Sequence, residues 1–430
     1  MTKRLQSITS KLPAAVALCL LILLWQFLCQ SGAVPAYMLP SPIQVVKALF
    51  TDLPTILRHA VVTLQEAFYG LCIGVVLAFV MATLMDHFRI LNKALYPIMI
   101  ITQTPFRMSF FGGGTDFPDF YKEHGGAVIS TTFDKYCYVN VRHLPRFFDY
   151  STELSYSKIE RVTDVNDINH PAIREAMKYL DMQEIRLTYE ADLPARSGLG
   201  TSSSFAVGML NAFYALKGKY ADKRKLADDA IYLERVLCNE SGGVQDQIAA
   251  AFGGLNRINF NANGYEVNPV IISPERKTQL NQNLMLFFTG FSRFSSDIQQ
   301  TTEKALVDKQ KQLLEMLSLV DDAEKVLTSK TDLNEFGRLL DYTWKLKRGI
   351  SNRISTDSID GLYAKGMAAG ALGGKLLGAG GGGFLLFYVE PDKQEAVHKA
   401  MEELLYVPFE FENSGTRVIH YTPETYEKRA

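Results

Sequence analysis

Net charge is what this chain of 430 residues most lacks: 45 Lys+Arg against 46 Asp+Glu leave a formal charge of -1. With no global field to draw in a polyanion, nucleic acid is excluded as an expected partner. Cysteine is nearly as scarce. The five residues, Cys19, Cys29, Cys72, Cys137 and Cys238, are scattered and have no CxxC or Cys/His spacing suited to zinc. They read as free thiols of a reducing compartment, which excludes a disulfide scaffold. Long apolar runs are missing after Pro105, so a polytopic membrane protein is excluded for that part. A hydrophobic share of 47% with 21% charged residues excludes disorder and allows two or three globular units.

What is there divides at about residue 98. From Leu12 the chain carries no charge until Lys47, and Pro13 to Gln30 is long enough to cross hydrocarbon as a helix. A second uncharged run, "AFYGLCIGVVLAFVMATLM" (Ala67 to Met85), ends at Asp86, His87 and Arg89. Two transmembrane helices are therefore expected, about 13–30 and 67–85. Lys3, Arg4 and Lys11 place the amino terminus inside, and two crossings return the chain to the cytoplasm, where Arg89 and Lys93 agree. This arrangement anchors the protein in the inner or plasma membrane. Gly70 and Gly74 form a G-x-x-x-G pair in the second run, a weak signal for close helix packing.

Three glycine-rich sites follow in the soluble part. In "LPARSGLGTSSSFAVGML" a strand ends at Leu193, a turn with Gly198 and Gly200 leads through three serines, and an apolar helix begins. Glycines let the backbone approach a ligand, and free N–H groups with the dipole at a helix start favour an anion. That combination is a phosphate cradle, although no Gly-Lys-Ser/Thr follows as in a Walker A loop. The second site is "GGKLLGAGGGGFLLFYV" (Gly373 to Val389), where apolar elements meet in a tight turn packed against other backbone. The third is "PFRMSFFGGGTDF", with Arg107, three glycines and Asp116 on a strand and its following loop. Strands are predicted at "IITQTPFRMSFF", "GAVISTTFDKYCYVNVRHL", "EIRLTYEADL" and "LMLFFTGF", and helices at "FAVGMLNAFYALKG", "KRKLADDAIYLERVL" and "TEKALVDKQKQLLEMLSLVDDAEKVL". Two carboxylates complete the set: Glu234 on a helix, and Asp246 in "SGGVQDQIAAAFGG", bracketed by glycines.

The segment from Lys11 to Pro105 resembles the start of an ABC-importer permease of the nitrate, sulfonate and taurine type, carried by "YMLPSPIQVVKALF", "DLPTILRHAVVTLQEAFYGL" and "DHFRILNKALYPIMIITQTP". The remaining spans of such a permease do not follow, so transport by this chain alone is not expected. Residues 99–430 resemble a complete GHMP-type small-molecule kinase, through "PFRMSFFGGGTD", "LPARSGLGTSSS" and "KLLGAGGGGF" in that order. The stretch "PFRMSFFGGGTDFPDFY" is most similar to the sugar kinases that phosphorylate D-glycero-D-manno-heptose 7-phosphate at its anomeric carbon. Where galactokinases have a Glu-His pair, Gly113 and Gly114 stand here, which makes room for a larger, phosphorylated sugar.

The resemblance implies an α+β fold of two lobes, a ribosomal-S5-like lobe at 99–285 and a ferredoxin-like lobe at 286–430, preceded by the permease fragment at 1–98. It also implies ATP and Mg²⁺ as cofactors and a sugar phosphate as the small-molecule partner. Asp246 would orient or deprotonate the acceptor hydroxyl, with Arg107 paired to it. Pro194, Arg196, Ser197, Gly198, Leu199, Gly200, Thr201, Ser202 and Ser203 would cradle the ATP phosphates, and Ser202 and Glu234 would hold Mg²⁺. Gly113, Gly114, Thr115, Asp116, Gly380 and Gly381 would bind the sugar. Its 7-phosphate calls for a basic partner among Arg196, Arg293, Lys347, Arg348 and Arg353, with Arg196 first because it lies in the phosphate loop. Other anomeric sugar kinases, of fucose or galactose type, and a permease component with a sugar-binding domain are the alternatives. "MIITQTP" fits both parents, so the seam reads as an abrupt joining with Met99 as a possible kinase start, and a kinase made alone from Met99 would be cytoplasmic.

Overall fold

The computed structural model describes residues 20–31, 39–87, 99–144, 147–195, 197–290, 309–351, 354–378 and 380–421. Two compact units separate, Met1–Tyr96 and Pro97–Ala430.

The first unit corrects the expectation of two transmembrane helices. Among the described residues there is a short apolar helix, Leu20–Gln30, and one long helix, Pro42–His87. The long one runs through Pro54 and fuses the amphipathic segment with the second apolar run; only its stretch Pro42–Val80 is long and apolar enough to cross a membrane. The boundary expected near residue 67 is missing because nothing there stops a helix: Gln65, Glu66 and Ala67 are good helix formers, and no glycine or proline intervenes before Gly70. At 46 residues the helix rises about 69 Å, more than twice the hydrocarbon thickness of ~30 Å. Residues 13–19 of the first predicted span lie outside the described residues.

Among the described residues of the second unit, thirteen strands form two sheets. Those of the first are β1 (Ile100–Phe111), β2 (Gly126–His143), β3 (Thr152–Ser155), β4 (Ile159–Val162), β5 (Ile185–Ala191), β6 (Asn256–Asn261) and β7 (Gly264–Pro269). The second sheet holds β8 (Leu284–Phe288), β9 (Gly373–Leu376), β10 (Phe384–Tyr388) and β11 (Leu405–Tyr406), and the chain ends on β12 (Phe411–Glu412) and β13 (Arg417–Tyr421). The nine-stranded sheet has the order β13-β1-β2-β5-β3-β4, with β6 and β12 also on β2 and β7 on β6. It is mixed, since β3 and β5 run parallel. The four-stranded sheet is β11-β8-β10-β9. β12 and β13 thus return from the second sheet to the first and tie the two together.

Helix Thr201–Leu216 lies under the first sheet. Its residues from Ser203 to Tyr214 are all buried, as expected of a helix that is apolar nearly all round. Gly208 makes the approach possible: a Cβ there would stand 2.6 Å from Thr104 Oγ1 on β1. The second sheet packs on helix Asn334–Arg348, whose Phe336 ring meets Phe110 and Phe111 of β1 edge-on at 5.3 and 5.0 Å. These aromatic contacts bury the seam between the sheets, and the site opens beside it.

Candidate active site

β1 delivers Arg107 to the centre of the unit. It is 4% exposed, and both of its paired donors face Asp246: Nε donates to Oδ1 at 2.7 Å and Nη2 to Oδ2 at 2.6 Å. Its third group, Nη1, donates to the carbonyl of Gly198 at 2.8 Å. One guanidinium therefore links the carboxylate to the glycine loop, and its planar fork fixes both oxygens of Asp246. Asp246 sits in the first turn of helix Gln245–Phe252 and keeps a partly exposed face.

The loop before helix Thr201–Leu216 is built for close approach. Gly198 has φ +83°, and a Cβ on it would stand 2.4 Å from the Leu377 carbonyl oxygen; Gly378, at φ +80°, meets Gly198 Cα at 2.3 Å in the same way. Two of the three glycine motifs are thus in backbone contact. Gly200 caps the helix in the left-handed conformation, and no acidic side chain occupies the first turn. Leu199 is buried, with its carbonyl taking the Arg107 N–H. Pro194 is exposed, Ser197 Oγ is buried without a partner, and Arg196 lies outside the described residues.

Glu234 does not sit on an ordinary α-helical face. Residues Leu233–Leu237 form a π-helical turn, a widening that turns Glu234 inward to 2% exposure. Its carboxylate accepts from Ser202 Oγ at 3.1 Å, Ser203 Oγ at 2.8 Å and Gln247 Nε2. No cation pairs with it among the described residues, and its charge adds to burial in pushing the Glu240 carboxyl up. A buried carboxylate next to a hydroxyl at a phosphate cradle suits Mg²⁺, which takes one or two protein ligands and completes its shell with phosphate oxygens and water. Among the described residues no cluster of three ligating side chains competes for that role.

Asp116 faces the same space. Its Oδ1 accepts from the Gly114 N–H at 2.9 Å and its Oδ2 from the Gln245 N–H at 3.2 Å; burial pushes its carboxyl up against these lowering bonds. Gly243 is required behind it, since a Cβ there would lie 1.9 Å from Oδ2. Arg107, Asp246, Asp116, Gly113 and Gly114 line one cavity, together with Ser109, Gln245, Lys347, Lys375 and Gly378. Thr115 does not line it; its Oγ1 donates to the carbonyls of Gly112 and Ala127 and pins the loop. Gly380 and Gly381 pack on Ile354, with Gly381 N–H donating to its carbonyl at 3.0 Å. Of the basic candidates, Lys347 lines the cavity, Arg348 pairs with Asp360 at 2.6 Å, and Arg293 and Arg353 lie outside the described residues.

Sequence reasoning missed Lys375. It is 2% exposed on β9 and donates to the carbonyls of Ser109 and Phe110 at 2.9 and 2.7 Å. Burial holds its amine well below the usual lysine range. Ser109 Oγ and Gln245 Oε1, both buried and without partners among the described residues, were missed as well. A lone lysine in an otherwise apolar glycine run was the one available signal.

Comparison with known proteins gives a consistent answer. Residues 168–254 match the GHMP kinases N terminal domain and residues 323–407 match the GHMP kinases C terminal domain. The chain is 31% identical over 333 residues to the D-glycero-alpha-D-manno-heptose 7-phosphate kinase of Campylobacter jejuni, covering 74% of this chain and 98% of that protein. It is 26% identical over 341 residues to the L-fucokinase/L-fucose-1-P guanylyltransferase of Bacteroides fragilis, covering 69% of this chain but 35% of that longer protein. In fold it is similar to a crystal structure of a D-glycero-D-manno-heptose 1-phosphate kinase from Bacteroides thetaiotaomicron, with a TM-score of 0.61 and 24% identity over 75% of this chain and all of that one.

Proposed function

This chain belongs to the GHMP kinases and is a sugar kinase, a phosphotransferase with an alcohol group as acceptor; we propose that it phosphorylates the anomeric hydroxyl of D-glycero-D-manno-heptose 7-phosphate, giving the 1,7-bisphosphate. The observation that carries this reading is the Arg107–Asp246 pair, locked to the glycine loop through Gly198 and opening on a cavity with Gly113 and Gly114 in its wall. Gly113 and Gly114 add no side chain to that wall, and likeness to the Campylobacter jejuni heptose 7-phosphate kinase extends over nearly its whole length.

The geometry supports the following roles. Asp246, held in place by the bidentate guanidinium, accepts the proton of the acceptor hydroxyl or orients it. Asp116 accepts from a further sugar hydroxyl, and Ser109 and Gln245 offer it buried polar atoms that have no other partner among the described residues. Residues 197–203 hold the ATP phosphates on backbone N–H groups at the helix start. Glu234 and Ser202 would hold Mg²⁺, which would supply positive charge against the phosphates when bound.

The test is an acceptor panel on the full chain in detergent, with heptose 7-phosphate, unphosphorylated heptose, galactose and fucose. The heptose 7-phosphate should be preferred by at least about 10²-fold in kcat/KM, as expected when a buried polar partner on the substrate is present or absent. Preference for galactose or fucose would replace the substrate.

For the amino-terminal unit we propose a membrane attachment, which the long apolar stretch Pro42–Val80 supports. The full chain should then pellet with membranes and resist alkaline carbonate. Release into the supernatant would remove the attachment.

A further inference from the structure

Among the described residues three cations and two carboxylates line the cavity, and the cations differ in what they are free to do. Arg107 is spent on Asp246 and Gly198, and the Lys375 amine is sunk between two carbonyls. Lys347 is half-buried in the last turn of helix Asn334–Arg348 and donates once, to the Gly378 carbonyl at 2.6 Å. It has no carboxylate partner among the described residues. Its helical neighbours behave differently, because Lys345 pairs with Asp341 at 2.6 Å and Arg348 with Asp360 at 2.6 Å. One basic residue of three therefore turns into the cavity. Its anchor, Gly378, is in backbone contact with Gly198 of the phosphate loop.

Keeping an amine there is costly. Burial first, then the Arg107 charge, lowers the Lys347 pKa to about 8, while Asp116 and Asp246 act in the opposite direction. An anion arriving between Gly198 and Asp246 would relieve that cost.

We propose that Lys347 is a catalytic residue that contacts the phosphoryl group during its transfer from ATP to the sugar. As the acceptor oxygen bonds to the γ-phosphorus, the bond from that phosphorus to the bridging oxygen breaks and ADP departs with the electron pair. The hydroxyl proton passes to Asp246. Lys347 stays protonated, and its two remaining N–H donors meet negative charge on the equatorial oxygens, where fixed donors act most strongly. The amine comes from the helix Asn334–Arg348, on which the second sheet packs. The assignment does not rest on which sugar is the acceptor.

Lys347→Met and Lys347→Arg in the full chain test it, assayed with the best acceptor of the panel. Lys347→Met should lower kcat about 10²-fold or more and leave the sugar KM within about threefold. Its ADP affinity should match the wild type, while the extra affinity that fluoroaluminate with Mg²⁺ confers on the ADP complex, a mimic of the transferring group, should disappear. Lys347→Arg should recover at least about tenfold in kcat, since it restores charge without the same geometry. Wild-type kcat should fall as pH rises through about 8, where this amine among Arg107, Asp116, Asp246 and Lys375 loses its proton, and the fall should be absent in Lys347→Arg. Should Lys347→Met fail to fold, that pH limb decides alone. Unchanged kcat and fluoroaluminate binding overturn the proposal, as does a KM increase confined to phosphorylated sugars, which would assign Lys347 to the sugar's own phosphate.

Discussion

Asp246→Asn should reduce kcat by about 10²-fold or more while leaving ATP affinity within about threefold. The substitution keeps the size of the side chain and one acceptor for Arg107, but it removes the charge that both Nε and Nη2 address at 2.7 and 2.6 Å. An amide oxygen cannot take the acceptor proton. ATP affinity should survive because the phosphate loop is shaped by Gly198, Gly200 and Gly378, whose contacts do not include Asp246. Glu234→Gln supplies the contrast. Its neighbours Ser202, Ser203 and Gln247 can still bond the amide, yet the buried charge that suits Mg²⁺ is gone, so the Mg²⁺ concentration for half-maximal activity should rise. Full-turnover Asp246→Asn would remove the carboxylate from the chemistry. An unaltered Mg²⁺ requirement in Glu234→Gln would remove Glu234 from the metal site.

The second large effect is expected at Gly198→Ala. Its φ of +83° is a conformation that alanine adopts only with strain, and the new Cβ would lie 2.4 Å from the Leu377 carbonyl oxygen. Both the clash and the strain fall on backbone, so no side chain can swing away. Together they should lower stability by about 2–5 kcal/mol and weaken ATP binding at least about tenfold. Gly218→Ala is the control: its φ is +65°, but nothing lies within 4 Å of its Cβ, so it carries the strain without the clash. Thermal unfolding of the two variants, with and without ATP, separates the terms. Equal behaviour of both would mean that contact between the two glycine motifs contributes nothing.

These contacts also show which parts of the site could be read from the chain. Apolar, β-rich runs placed β1 and β2 correctly, because strand periodicity and β-branched content are local properties. Glycine clusters marked where backbones meet, and the structure joins all three: Gly198 to Gly378, Gly200 to Arg107, and the Asp116 loop to Gly243. Geometry that depends on distant partners was not legible. Glu234 reads as one turn of an amphipathic helix, and only a π-helical turn brings it inside. Lys375 finds its acceptors on β1, 266 residues away in sequence, so nothing near it signals where its charge goes. The amino-terminal helix failed in the other way. Hydropathy marks the second apolar stretch but not the amphipathic helix that runs into it from Pro42, and Pro54 did not break it.

The central claim is that phosphate is transferred to the anomeric hydroxyl of a heptose that already carries a phosphate. Phosphorus-31 NMR of the product from the full chain, ATP, Mg²⁺ and D-glycero-D-manno-heptose 7-phosphate addresses it most directly. Two sugar phosphorus resonances are expected, one of them coupled to the anomeric proton, in equal amount to the ADP formed. A single unchanged 7-phosphate resonance, or a second phosphorus coupled to any other proton of the sugar, would contradict it.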